Sequence, residues 1–113
     1  MFVVSQKDTR VWPVEVEQAV DGGRFERATF DAEFAVLPQS QINAMIDSAG
    51  RLELNDIGFS MAVLRGWRGI QDEAGDPVPF SIGARDRMLE IPGFARAVVS
   101  AYMAMLAGGQ RKN

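Results

Sequence analysis

Cysteine and histidine are both absent from the 113 residues. Without cysteine there is no disulfide framework, no thiolate zinc site and no thiol nucleophile. Without histidine, the commonest general base and the commonest metal ligand are missing. Serine–histidine and cysteine–histidine nucleophile pairs cannot be assembled from this chain alone. Basic residues are also in the minority, with Lys+Arg at 12 against Asp+Glu at 15 and a net charge of −3. A duplex-binding domain carries a basic face and a high pI, so nucleic acid is not an expected partner, despite the small basic pair Arg111-Lys112. No run of about 18 apolar residues occurs, and no membrane span is expected. The opening Met1-Phe2-Val3-Val4-Ser5-Gln6-Lys7-Asp8 puts no basic leader before its short apolar stretch, so a secretory signal is not expected either. The resulting expectation is a cytoplasmic protein with no cofactor and no metal.

The remainder of the composition is ordinary. The hydrophobic fraction is 47% and the charged fraction 24%, as in soluble globular proteins. A chain of this length makes one domain and buries roughly 65% of the surface its unfolded form exposes. That is enough for one core and leaves little for a deep cleft. A single domain over 1–107 is expected, followed by a loose tail over 108–113.

The first third reads as β-structure. Trp12, Val14, Val16 and Val20 are apolar at even positions while Glu15 and Glu17 are charged at odd ones, the period-two mark of a strand with one buried face. Asp21-Gly22-Gly23 is a hairpin signal because its turn positions tolerate positive φ. A second run from Arg24 to Val36 places Ala28, Phe30, Ala32, Phe34 and Val36 against Arg27, Thr29, Asp31 and Glu33. Phe25 is out of phase, which predicts a bulge near the turn. Pro13 donates no ladder hydrogen bond, so the first strand is expected at a sheet edge. Phe2-Val3-Val4 is a candidate short third strand.

The rest reads as helical. Pro38 ends the hairpin, and Ile42, Met45 and Ile46 suggest a helix over Gln39–Ser48, stopped by Gly50. Asn55 is an expected N-cap for a helix over Asp56–Trp67 with Ile57, Met61, Leu64 and Trp67 on one stripe. Gly58 and Gly66 would weaken that helix by about 1 kcal/mol each. Arg68–Phe80 is an expected loop, dense in turn formers over Asp72–Pro77 and anchored at its ends by Ile70 and Val78-Pro79-Phe80. Ser81 is an expected N-cap for a helix to about Glu90 that buries Ile82, Met88 and Leu89. Pro92 then fits the first turn of a final helix to about Leu106. The expected fold class is α+β: an N-terminal antiparallel β-hairpin of two or three strands packed against about four α-helices.

The final helix is the most unusual segment. Phe94, Val98, Ala101, Tyr102 and Met105 form one stripe and Val99, Met103 and Leu106 another, with only Arg96 and Ser100 polar between Phe94 and Leu106. A helix that is apolar all round is buried on every side. Either it is the central core helix, or one face enters a partner or subunit interface. The six methionines fit both readings. Trp67, between Gly66 and Arg68, has two readings as well: a plug whose indole N–H finds a carbonyl, packed near Phe80 and Tyr102, or a binding hot spot. Asp72, Glu73 and Asp76 lack the spacing of a calcium loop and read as a solvated turn. Gly66-Trp67-Arg68-Gly69 lacks the ending of a phosphate loop. Scattered acids such as Asp47, Glu53 and Asp56 read as surface charge.

The string Leu64-Arg-Gly-Trp-Arg-Gly-Ile-Gln-Asp-Glu-Ala-Gly-Asp-Pro-Val-Pro-Phe-Ser81 resembles the tail assembly chaperones of long-tailed (siphophage, lambda-like) bacteriophages and prophages. The matching features are Trp67, Gly69-Ile70, Asp72-Glu73, Gly75, the Pro79-Phe80-Ser81 lead into a helix, and Ala101-Tyr102 in an apolar helix. The β-rich start with Phe30 and Phe34 extends the likeness over residues 10 to 106. The resemblance implies a non-enzymatic protein that binds the tape measure protein, helps recruit tail tube protein, self-associates and is absent from the finished virion. Such genes commonly make a short and a frameshifted long form, and the ending Lys112-Asn113, with A-rich codons, suits a short form. Trp67, Phe80, Phe94, Tyr102 and Met105 are the expected partner-contacting residues. The alternative is a structural tail-completion or head–tail joining subunit retained in the virion. A small enzyme working with carboxylates alone ranks third.

Overall fold

The chain adopts an α+β fold, with a three-stranded antiparallel sheet and helices packed against it. The computed structural model describes residues 1–4, 7–46 and 55–108. The first helix ends at Ala44 with Met45 as its C-cap, short of the expected Ser48; Gly50, the acids Asp47 and Glu53, and the tail beyond Gly108 lie outside the described residues. Strand β1 (Thr9–Val20) and strand β2 (Arg24–Ala35) form the hairpin, with Pro13 on an edge strand as expected. Helix α1 (Gln39–Ala44) and helix α2 (Asp56–Val63) follow, then strand β3 (Leu64–Arg68), helix α3 (Ile82–Leu89) and helix α4 (Phe94–Ala107). The sheet order is β1-β2-β3.

The hairpin forms because its turn and its pattern agree. Gly22 and Gly23 take φ of +88° and +73°, values that L side chains rarely adopt. The register then runs unbroken from Val20↔Arg24 to Thr9↔Ala35. Period-two alternation places Val14, Val16, Phe30, Ala32 and Phe34 on the buried face, with Glu15, Glu17, Arg27 and Asp31 on the other. The helices cover the apolar face. Helix α4 packs against β1, α2 packs against α4, and α3 touches both helices. Phe30 and Phe94 stack in parallel at 5.4 Å. Tyr102 meets Phe34 and Phe59 edge-on at 5.2 and 5.6 Å.

Two helix starts, those of α2 and α3, are where the sequence puts them. Asn55 Oδ1 accepts from the Gly58 N–H at 2.7 Å, and Ser81 Oγ accepts from the Ala84 N–H at 3.0 Å. These side chains satisfy donors that the first turn leaves unpaired. Arg85 is buried, but its guanidinium donates to the Met61 carbonyl at 3.1 Å and pairs with Asp86 at 3.0 Å. The charge is therefore compensated where it is desolvated.

Several expectations fail for identifiable reasons. The third strand is Leu64–Arg68, not Phe2-Val3-Val4, whose side chains are exposed. The helix from Asp56 ends at Val63, and Leu64 turns to extended backbone at φ −86°, ψ 113°. The open side of β2 at Asp31–Phe34 offers ladder partners to Leu64–Arg68, and tertiary pairing overrides the helical period. The buried residues of α2 are Phe59, Ser60 and Val63 instead of the Ile57–Met61 stripe. In α3, Ala84 and Arg85 are buried beside Leu89, while Ile82 faces outward. Pro92 precedes α4, whose N-cap is Gly93. Phe25 makes no bulge; it lies opposite Ala19 in regular register, on the solvent side. The bulge is on the other side of β2, at Glu33/Phe34 against β3.

Replacing the fully buried Phe34 with alanine is expected to lower stability by about 3–5 kcal/mol. Phe25→Ala, at an exposed site, should stay within about 0.5 kcal/mol. Urea unfolding of the two variants checks the assignment of faces.

Candidate functional site

The string that carries the family resemblance folds into one small unit. Trp67 projects from β3, and its indole Nε1–H donates to the Val78 carbonyl at 2.7 Å. Its ring meets Phe80 edge-on at 4.9 Å. The segment between them folds back on itself. Val78 N–H donates to the Ile70 carbonyl at 2.8 Å, Asp72 N–H to the Asp76 carbonyl at 2.9 Å, and Gln71 pairs with Pro77. At the tip, one Asp72 carboxylate oxygen accepts from the Ala74 and Asp76 N–H groups, both at 3.0 Å. Asp72 is thus spent on its own turn, which is the common use of aspartate in such loops. Ile70 and Phe80 pack against the core and anchor both ends. Trp67 pins the unit through Phe80 and Val78; the aromatic partners of Tyr102 are instead Phe34 and Phe59.

Helix α4 uses its two apolar stripes differently. Phe94, Val98, Ala101 and Tyr102 lie in the core. Val99 and Met103 are half-buried and Leu106 is 43% exposed, with Arg96 and Ser100 exposed beside them. Of the five expected contact residues, Phe94 and Tyr102 are 3% and 0% exposed and form core. Trp67, Phe80 and Met105 are half-buried at the surface. The structure does not gather the five into one patch: Trp67 and Phe80 belong to the pinned loop, and Met105 to the far end of α4. Leu106 is an exposed large apolar residue on α4, and Met103, one turn before it, is half-buried. The signal for them was the second stripe of the helix, already visible at helical spacing.

Tyr102 is the group whose chemistry the fold alters. Its hydroxyl donates to the Ala35 carbonyl at 3.0 Å in the interior. Burial pushes its pKa above the ordinary value of 10.0, with a backbone contact at Leu37 and the Arg65 charge pulling partly back. The desolvated phenolate is the disfavoured form.

The surface carries open grooves. One of about 180 Å3 runs between the hairpin and the β3–α3 loop, with Val16, Phe30, Ile70, Met88 and Phe94 in its lining. Another, of about 500 Å3, separates Glu15, Glu17 and Phe25 from Pro92 and Arg96. The two glutamates of the second groove share the exposed Arg27 guanidinium, Glu17 at 3.2 Å and Glu15 at 3.9 Å. Among the described residues no group of three or more Asp or Glu is placed to hold a metal ion. No single described helix is long and apolar enough to cross a membrane. What the arrangement offers chemically is apolar contact and backbone pairing. No family model, no curated protein and no solved structure matches the chain.

Two outcomes follow. Because the folded pKa of Tyr102 is raised, the stability it contributes is full below pH 10 and declines as pH rises past the unfolded value toward the folded one. Chemical denaturation between pH 8 and about 11.5 should show this alkaline loss in the parent and a smaller one in Tyr102→Phe. Trp67→Phe removes the donor to Val78 and should cost about 1 kcal/mol. It should also speed tryptic cleavage after Arg68, read by mass spectrometry.

Proposed function

We propose that this protein is a phage tail assembly chaperone that works by reversible binding and without catalysis. In this reading it holds apolar helices of the tape measure protein, helps recruit tail tube protein, self-associates, acts in the host cytoplasm and is absent from the finished virion. The observation that carries the reading is the half-open stripe Val99–Met103–Leu106 on α4, whose other face is committed to the core. A holder of apolar helices needs accessible and adaptable apolar side chains, and methionine supplies both. The string from Trp67 to Ser81, through its resemblance to tail assembly chaperones, is what suggests the partner. Trp67 and Phe80 are the contact residues from that string, and Met105, Met103 and Leu106 are those on α4. Phe94 and Tyr102 act from beneath by fixing the helix.

The test is co-expression with the large helical product encoded beside this gene. The parent chain should raise the soluble fraction of that product several-fold. The variant Leu106→Lys should lose much of that effect while keeping its thermal midpoint, since Leu106 is exposed and lies outside the core cluster. A product that is equally soluble without this chain overturns the proposal. So does stoichiometric retention of the chain in purified virions, which would favour the tail-completion or head–tail joining alternative.

A further inference from the structure

Strand β2 is twelve residues long, but β3 pairs only with its second half, at Asp31–Phe34. Gly69, at φ +92° and against Phe30, turns the chain away from the sheet. Among the described residues, the side of β2 from Arg24 to Thr29 has no strand partner. In an antiparallel ribbon every second residue there directs its N–H and C=O outward. Beside this edge lies the groove of about 180 Å3 lined by Ala28, Phe30, Ile70, Met88 and Phe94. A backbone edge next to an apolar groove is the receptor geometry for an added strand.

The same chain carries a segment that fits. Phe2, Val3 and Val4 are 89%, 76% and 66% exposed and make a β-favouring, uncharged run. This arm does not lie along its own edge: Val4 falls short of it, and Phe2 reaches only its near end at Thr29. Phe2 and Val4 precede Thr9 by seven and five residues, which span at most ~25 and ~18 Å. Phe25–Thr29 lies beside Glu15–Ala19, roughly 20–33 Å along the ribbon from Thr9, and a position beyond β2 is another ~10 Å sideways. A second copy is free of this tether.

We propose that the segment Met1–Val4 of one copy adds as a strand to the Arg24–Thr29 edge of β2 in another copy, with alternate side chains seated in the groove beside Phe30 and Phe94. Alternate side chains of the arm, two of the four, enter the groove and bury about 60–120 Å2 of apolar surface each. The rest of the contact is backbone pairing along the Arg24–Thr29 edge, the usual source of affinity in strand addition. The arm carries no charged side chain, so it adds no repulsion against Arg24, Glu26 and Arg27 on the receiving strand. This inference deepens the self-association in the tail-chaperone reading, and a monomeric parent overturns it while the co-expression outcome for that reading is read separately.

Light scattering coupled to size exclusion on the full chain tests it. The parent should have at least twice the monomer mass at tens of micromolar. Phe2→Asp with Val4→Asp should be monomeric, with an unchanged far-ultraviolet spectrum. Ala28→Glu, at an exposed site in the groove, should be monomeric as well. Mixing the two variants should restore a heterodimer, because one contributes an intact groove and the other an intact arm. A monomeric parent overturns the proposal, as does an oligomer that survives both variants. Mixed variants that stay monomeric overturn it too, since the edge would then receive some other partner.

Discussion

The contacts of Tyr102 hold three elements in one relation. The ring lies edge-on to Phe34 of β2 and Phe59 of α2, and the hydroxyl reaches the Ala35 carbonyl where β2 leaves the sheet. An aromatic body suits the apolar interior, while its polar tip needs a partner there. Ala35 supplies that partner at a point where the ladder has run out. Helix α4 is thereby fixed in rotation about its axis as well as in position. If α4 turned by one residue, about 100°, the hydroxyl would lose its acceptor inside the core.

That fixed rotation decides what the surface presents. With Phe94, Val98, Ala101 and Tyr102 turned inward, Val99, Met103 and Leu106 must face away or sideways, because residues of one helix are bound to a common phase. A sheet of three strands has one apolar face, and α4 and α2 share it. No second layer of described structure covers the other side of α4. The half-open apolar stripe is therefore a consequence of a composition richer in apolar helix than a domain of this size can enclose.

The legible parts of the fold were those set by local chemistry. The hairpin could be read from alternation and the Asp21-Gly22-Gly23 turn, the edge position of β1 from Pro13, and two helix starts from the Asn55 and Ser81 caps. The failures have a common source in contacts far along the chain. Residues 64–68 have helical spacing with what precedes them, and nothing local shows that β2 has an open side to receive them. The inner face of α3 was misread because Arg85 is buried by a carbonyl on α2 that the sequence does not place. Candidate contact residues suffered likewise. Size and aromaticity picked out Phe94 and Tyr102, yet these properties serve a core as well as an interface, and only packing separates the two uses. For Trp67 the local reading was better, since an indole between small and polar neighbours needs a carbonyl, and Val78 provides it.

The β1 edge and the unpaired half of β2 are managed in opposite ways. Along β1, Pro13 removes a donor and the α3–α4 elbow approaches the Glu17 carbonyl at Gly93, so strand addition is discouraged. Across the solvent face, Arg27 with Glu15 and Glu17 makes a charged ladder that disfavours stacking. The β2 edge beyond Gly69 has neither device: the loop from Ile70 to Val78 pairs with itself and is pinned by Trp67, and it leaves the edge bare. A protein that guarded every edge would be read as a monomer avoiding its neighbours. Guarding one edge while folding a loop clear of the other is the pattern of a surface that receives a strand.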